Sequence, residues 1–192
     1  ISLEKRISKT FAIKVLTSTA ILQNASEWGW TFADGGITLR ITRNWQISGQ
    51  YRYVWRQNRR NETVNRQLLY TQVNYAKSLG NFTVSYRGRL LRQWYGANWN
   101  DNYRPTLWQL RNRVGLQFKQ NYFWQPYISA EIFMPLNGQW RTAVTQWRTI
   151  LGIDYNLNDF NELSLYLQYN QTVNRTPNQN RILLGTTYAI RI

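Results

Sequence analysis

Arginines recur at alternate positions in two segments of the chain, 87–89 and 111–113, and their side chains have the chemistry to hold anions. Residues spaced by two along a β-strand point to the same face, so alternating arginines share one face. A guanidinium group presents a planar fork of donors that matches carboxylate and phosphate. The arginines of this set and their possible acidic partners, all predicted to line an interior, are Arg52, Arg66, Arg87, Arg89, Arg111, Arg113, Arg148, Glu131, Asp154 and Glu162.

Two interpretations of this arginine set stay open. One is an arginine-lined wall that selects or binds small anions. The other is a set of Arg–Glu and Arg–Gln ladders that fill and rigidify a narrow lumen, because small barrels are often filled by their own side chains. Basic residues outnumber acidic ones on these faces, which keeps the anion interpretation open.

The composition argues against an enzyme. The chain has 192 residues, with 24 Lys and Arg against 9 Asp and Glu, a formal charge of +15, and neither cysteine nor histidine. Ser-His and Cys-His hydrolases and the usual zinc sites are therefore excluded. A carboxylate pair, Glu131 with Glu162 or Asp154 with Glu162, has the elements of acid–base catalysis, but we expect structural ion pairs instead. No phosphate-cradling or calcium loop is present, so no cofactor is expected.

A second basic cluster lies near the longer polar connections. Such residues at a membrane rim favour contact with lipopolysaccharide phosphates, or else are ordinary solvated loop charges. Nucleic-acid binding is not expected, because the aromatic residues lie on the opposite face from the arginines. The residues of this cluster are Arg56, Arg59, Arg60, Arg104 and Arg175.

A period of two runs through the whole sequence and predicts the elements that position these residues. From Trp45 to Arg56, for example, the odd positions are mostly aromatic or aliphatic and the even positions mostly polar. Strict alternation over ten or more residues predicts strands about twice the usual globular length. Eleven such segments begin near residues 1, 11, 27, 45, 62, 81, 105, 123, 140, 160 and 180. In the third, Gly35-Gly36 separates two phases and predicts a bulge or a kink. The sequence therefore predicts one all-β domain over residues 1–192.

Aromatic residues cluster at both ends of the predicted strands, as expected for the two interface girdles of a membrane barrel. Trp45 and Trp55 are 10 residues apart, which gives roughly 25 Å for a strand tilted near 40°. The polar face is rich in Arg, Asn, Gln and Ser, which suits a hydrogen-bonded lumen. We therefore favour a transmembrane antiparallel up-and-down β-barrel over a soluble β-sandwich or lipocalin-like barrel. The predicted interface aromatics are Trp28, Trp30, Trp45, Trp55, Trp94, Trp108, Trp124, Trp140, Tyr155 and Phe160.

Several segments, taken in order, carry a family resemblance. They are 3–11 (LEKRISKTF), 48–53 (SGQYRY), 82–90 (FTVSYRGRL), 110–113 (LRNR), 126–133 (PYISAEIF) and 184–188 (LGTTY). Together they resemble the DUF2490 family over essentially the whole chain, although no single motif is specific. The resemblance implies an outer-membrane barrel of Bacteroidetes, which are Gram-negative. The family has no established function, so it implies no catalytic residues.

Parity predicts the strand number. Single-chain bacterial barrels have an even number of strands and both termini in the periplasm. With the short turns placed in the periplasm, we predict 12 strands, of which the first precedes the sequence, or 10 if residues 1–7 lie outside the wall. The closing Gly185-x-x-Tyr188-x-Ile190 resembles the signal read by the outer-membrane assembly machinery.

Two functions follow from these predictions. The first is a non-enzymatic structural or accessory barrel in the bacterial outer membrane that docks against other envelope proteins. The alternative is a small porin-like pore whose Arg-rich lumen passes or binds small anionic solutes. The expected partners are the lipid bilayer, lipopolysaccharide and other outer-membrane proteins. Gly49, Thr145 and Thr149 are small and predicted to face outward, but they are too scattered to define a docking strip.

Overall fold

A computed structural model describes residues 1–22, 27–57, 63–95, 106–119, 123–138, 141, 143–174 and 178–191. These residues form eleven β-strands and no helix, which confirms the prediction of an all-β fold. No helix in this part of the chain is long and apolar enough to cross a membrane. The strands are β1 Ser2–Arg6, β2 Phe11–Leu22, β3 Glu27–Arg40, β4 Trp45–Gln57, β5 Thr63–Leu79, β6 Phe82–Tyr95, β7 Leu107–Phe118, β8 Trp124–Pro135, β9 Gln146–Asn156, β10 Asn161–Thr172 and β11 Asn180–Arg191.

The strands form a closed barrel in which each pairs antiparallel with the next in sequence. At one end, which we call the turn end, the connections are two to five residues long. At the other, the loop end, they are four to eleven residues long. The ring closes where β1 pairs with β11 in parallel, through three residue pairs only, from Ser2↔Ala189 to Glu4↔Arg191. The pairing is parallel because the first and last strands of an odd-numbered meander run in the same direction.

The outer wall is apolar and the inner wall is mostly polar. Val15, Leu69, Leu151 and Leu165 are about half exposed on the outer face, and Leu184 is 85% exposed. Inward positions of the same strands carry arginines, glutamines and serines that line internal cavities. Because a soluble barrel places its apolar face inside, this arrangement is the reverse of the soluble one.

The bulge predicted at Gly35-Gly36 is not there. The register of β3 runs without a break through both glycines against β2 and β4. The register shift lies instead between Ala20 and Ile21, where β3 has one residue more than β2. The two glycines differ in the space available for a side chain. A Cβ on Gly36 would overlap the backbone of β4, whereas a Cβ on Gly35 would meet nothing within 4 Å.

The ninth strand begins at Gln146, six residues after the predicted start. Thr145 directly precedes this strand. Its backbone nitrogen and its hydroxyl both donate to the carbonyl oxygen of Phe133, at 2.9 Å and 3.3 Å. Thr145, which is predicted to face outward, is therefore buried against β8 and offers no exposed surface.

An apolar cluster lies inside the barrel, on β3 to β6. It comprises Phe32, Val54, Leu68, Tyr70 and Leu91, and Trp30 packs against it. The ring of Trp30 stacks on Phe32 at 5.4 Å between centroids, so the prediction that Trp30 belongs to a membrane-interface girdle is wrong. Trp30 shares the phase of Phe32, and that phase points inward on β3.

Candidate functional site in the barrel lumen

A cavity of about 400 Å³ occupies the middle of the lumen. Six of the seven arginines predicted to face the interior line it, and Lys14 of β2 joins them. Arg66 lies two residues from Leu68 on β5, on the same inward face, but it is not part of this lining. Among the described residues, the charged groups around the cavity are Lys14, Arg52, Arg87, Arg89, Arg111, Arg113, Arg148, Asp34 and Glu131.

Glu131 of β8 is the acidic centre of the cavity. Its side chain is 2% exposed. Arg87 Nη2 donates to Glu131 Oε1 at 2.8 Å, and Arg148 Nη1 donates to Oε2 at 3.2 Å. In the sheet register, Glu131 also lies directly between Arg113 of β7 and Arg148 of β9. Two guanidinium groups therefore share the carboxylate of Glu131, and each of its oxygens accepts a hydrogen bond from one of them.

Like charges face each other directly across β6 and β7. Arg87 is opposite Arg113, and Arg89 is opposite Arg111. Directly opposed like charges destabilise a sheet. Arg89 donates to Gln72 Oε1 at 2.7 Å and 3.0 Å through two nitrogens, but a neutral amide cancels no charge. This side of the lumen therefore carries an excess of positive charge that its own acidic residue does not balance.

Aromatic rings hold part of the arginine cluster in place. The guanidinium carbons of Arg111 and Arg148 each lie 4.7 Å from the ring centroid of Phe133. That of Arg89 lies 4.2 Å from the ring of Tyr70. Cation–π contacts stabilise a cation without consuming its hydrogen-bond donors. The arginines thus keep donors available for an anion.

A second network centres on Asp34 of β3, which the sequence interpretation missed. Asp34 is 5% exposed, and its Oδ2 accepts from Arg52 Nε at 3.0 Å and from Arg52 Nη2 at 2.6 Å. The Tyr70 hydroxyl also donates to Oδ2, and Gln50 Oε1 lies 2.6 Å from that hydroxyl. Asp34 lies directly opposite Arg52 in the register of β3 and β4. The predicted bulge at Gly35-Gly36 obscured this pairing, because it left the phase of β3 undefined.

The apolar cluster forms the next layer of the lumen toward the loop end. Phe32 and Val54 each lie two residues from a member of the Asp34–Arg52 pair, on the same inward face. Leu91 stands in the same relation to Arg89 on β6. A cationic layer is thus followed by an apolar one along the barrel axis.

Comparison with protein-family models identifies the family of this chain. A family model described as a protein of unknown function, DUF2490, matches residues 1–190. The chain belongs to the DUF2490 family. No curated protein matches it. Because the function of DUF2490 proteins is unknown, the site chemistry has to be derived from this barrel itself.

Asp154 and Glu162 lie in a different part of this DUF2490 barrel. Both line a second cavity, of about 480 Å³, toward the turn end. Arg191 Nη2 donates to Glu162 Oε2 at 2.5 Å. Asp154 accepts from Ser164 Oγ at 2.6 Å and from Gln117 Nε2 at 2.9 Å. Among the described residues, no group of acidic side chains is placed to hold a metal ion.

Most of the predicted interface aromatics lie on the outer wall. Trp45 packs against Tyr75 at 4.7 Å between ring centroids, and Trp124 packs against Tyr155 at 4.6 Å, both at the turn end. Trp55, Trp94 and Trp108 face outward nearer the loop end, and Phe160 is exposed in the connection before β10. The side chains of Trp28 and Arg56, and residues Trp140, Arg59, Arg60, Arg104 and Arg175, lie outside the described part of the chain.

Proposed function

We propose that this DUF2490 protein is a non-enzymatic outer-membrane barrel whose lumen binds and passes small anions. One observation carries the proposal: seven cationic side chains and two acidic ones, among the described residues, line the central cavity. Guanidinium groups recognise carboxylate and phosphate through paired hydrogen bonds. An anion in the cavity would relieve the repulsion between the opposed arginines of β6 and β7.

The faces of the barrel support its placement in a bacterial outer membrane. The outer wall is apolar, and aromatic side chains lie on it near both ends. Barrels of that membrane have such girdles, with short turns on the periplasmic side and longer loops outside. The turn end of this barrel accordingly faces the periplasm.

Single-channel recording in a planar bilayer tests the proposed function. We expect openings with a reversal potential that shows preference for anions. Changing both Arg111 and Arg113 to Gln removes two of the seven cations and should reduce the anion preference several-fold, since pore-lining charge sets selectivity. Lys77→Gln, which removes a cation from the outer wall, is the matched control and should change nothing. Absence of openings, or an unchanged reversal potential in the double variant, would contradict the proposal.

We further propose that a twelfth strand fits between β1 and β11 in the membrane-inserted protein. The support is the seam between β1 and β11, which is held by three parallel residue pairs, whereas β11 makes eleven antiparallel pairs with β10 and β1 makes five with β2. Bacterial single-chain barrels have even strand numbers, and an inserted strand pairs antiparallel with both neighbours.

A disulfide test distinguishes eleven strands from twelve. Leu3 and Ile190 face each other across the seam, and the native chain has no cysteine. An intervening strand would separate these positions by about two strand spacings, roughly 9.6 Å. That distance exceeds the approximately 7 Å that a disulfide spans. We therefore expect Leu3→Cys with Ile190→Cys to stay reduced under mild oxidation in the full-length protein. Rapid crosslinking would support eleven strands.

A structural or accessory barrel is the second candidate. Gly35 and Gly49 both face outward, and a Cβ at either position would meet nothing within 4 Å. The packing of this chain therefore does not require glycine there, whereas the close approach of a partner would. Gly49→Leu should then remove an envelope protein that co-purifies with the native barrel in mild detergent. An unchanged set of co-purifying proteins would count against this candidate.

A further inference from the structure

Arg92 is a cation on the apolar outer wall, away from the lumen. It lies on β6 in phase with Phe82, Val84, Tyr86 and Leu90, which face outward, and its side chain is exposed. Within the described part of the chain, no carboxylate forms an ion pair with it. An unpaired charge on a lipid-facing wall is costly unless it reaches the polar interface. Arg92 therefore needs an explanation that the lumen chemistry does not provide.

Two tryptophans flank this arginine. The guanidinium carbon lies 5.7 Å from the Trp94 ring centroid and 5.6 Å from that of Trp108. Trp108 is the direct cross-strand neighbour of Arg92 on β7, and Trp94 follows two residues later on the same face. Both distances are near the outer limit of a cation–π interaction. The two rings therefore orient the Arg92 guanidinium group but do not enclose it.

The height of Arg92 matches the edge of the apolar band. Phe82 packs against Phe118 at the turn end, with 5.0 Å between ring centroids. Arg92 is ten residues further along β6, which corresponds to roughly 25 Å for a tilted strand, about the height of the band. The arginine thus lies at the level of lipid headgroups on the loop side of the membrane.

Further polar groups lie beside Arg92 on the outer wall. Gln67 of β5 is the cross-strand neighbour of Trp94. Tyr51 donates from its hydroxyl to Gln67 Oε1 at 2.9 Å, and its ring lies 6.4 Å from that of Trp94. With its oxygen engaged, the Gln67 amide presents its nitrogen as a donor. Arg92, Trp94, Trp108, Gln67 and Tyr51 together form what we call the Arg92 patch.

We infer that the Arg92 patch binds the phosphate group of a lipid in the leaflet around the loop end, such as the lipid A part of lipopolysaccharide. A guanidinium fork matches a phosphate, and the tryptophans fill the interfacial space beside the sugar or glycerol. The charge complements an anionic headgroup, and no described carboxylate competes for it. This inference rests on the proposed membrane location but is independent of the lumen chemistry.

Lipid retention tests the inference. The full-length barrel is reconstituted in phosphatidylcholine vesicles that contain a minor fraction of lipopolysaccharide, extracted in mild detergent, and examined by native mass spectrometry for retained lipid. The Arg92→Gln variant should retain about tenfold less lipopolysaccharide than the native protein, because it loses one charge-assisted contact. The Arg92→Lys variant should retain an intermediate amount of lipopolysaccharide, because lysine keeps the positive charge but lacks the planar guanidinium group. Lys77→Gln, which removes an outward cation of the same sheet near the turn end, should retain the native amount.

The outcomes separate the inference from the proposed location. Flotation of the vesicles reports whether the barrel inserts at all, and a barrel that does not float with lipid would contradict the membrane proposal itself. If Arg92→Gln floats normally and retains as much lipopolysaccharide as the native protein, the inference is wrong and the location stands. Displacement of the lipid by excess inorganic phosphate would show that the patch binds free phosphate, which would also overturn the assignment to a lipid.

Discussion

Replacing Glu131 with Gln is expected to lower the free energy of unfolding by about 3 kcal/mol, because removing one partner of a buried ion pair leaves uncompensated charge. The carboxylate is 2% exposed and accepts from Arg87 and Arg148. The variant has nearly the same shape, so the loss is electrostatic and does not come from a cavity. Urea-induced unfolding in lipid vesicles, followed by tryptophan fluorescence, measures the change.

Glu162→Gln is the matched control for that experiment. Its ion pair with Arg191 is more open, since the arginine side chain is 53% exposed. Exposed pairs contribute about 1 kcal/mol or less, so the effect should be small. Adding Arg148→Gln to Glu131→Gln should recover part of the lost stability by lowering the excess positive charge. Equal effects of the two glutamate variants would show that Glu131 is not the electrostatic centre of the lumen.

The same variant connects stability to the proposed function. A ligand that binds only the folded state stabilises it by an amount that grows with the ratio of free ligand concentration to the dissociation constant. Because Glu131→Gln increases the net positive charge of the cavity, added phosphate or a small carboxylate should stabilise this variant more than the native protein. An identical effect of anions on both proteins would contradict an anion site next to Glu131.

Replacing Gly36 with Ala is expected to destabilise the barrel by about 2 kcal/mol or more, as is typical when atoms are forced into a packed site. The added Cβ would overlap the carbonyl oxygen of Gly49 and lie 2.8 Å from the Cα of Gln50. Both are backbone atoms of β4, which cannot move without distorting the sheet. The measurement is again urea-induced unfolding in lipid vesicles.

Gly35→Ala provides the control at the adjacent position. A Cβ there points outward and meets nothing within 4 Å, so we expect a change within about 0.5 kcal/mol. Both variants add one methyl group to a glycine, at adjacent positions of β3. A difference in stability between them therefore reports whether the added group points into the barrel or out of it. Similar losses in both would mean that the assignment of inward and outward faces on β3 is wrong.

The arginines of the lumen could be predicted from the sequence because alternation is a local property. Arg87 and Arg89 share a face whatever strand lies beside them, since side chains two residues apart always do. The same rule located the outward Trp94 and Trp108. It failed on β3, where the assumption of a bulge at Gly35-Gly36 left the phase undefined. A change of phase at these glycines predicts an outward Trp30 and gives Asp34 no defined partner, whereas the continuous register of β3 directs Trp30 to the inner apolar cluster and Asp34 to Arg52.

The alternation of the sequence is enough to predict an all-β protein of long strands with one apolar and one polar face, because these features depend on residues two positions apart. Which charges come into contact depends on how the strands are arranged in the folded barrel. Glu131 and Arg87 are 44 residues apart in sequence, and their contact depends on the register of β6, β7 and β8 together. Register and barrel closure are collective properties of many strands. The excess of positive charge was therefore visible in the sequence, but its concentration around one carboxylate was not.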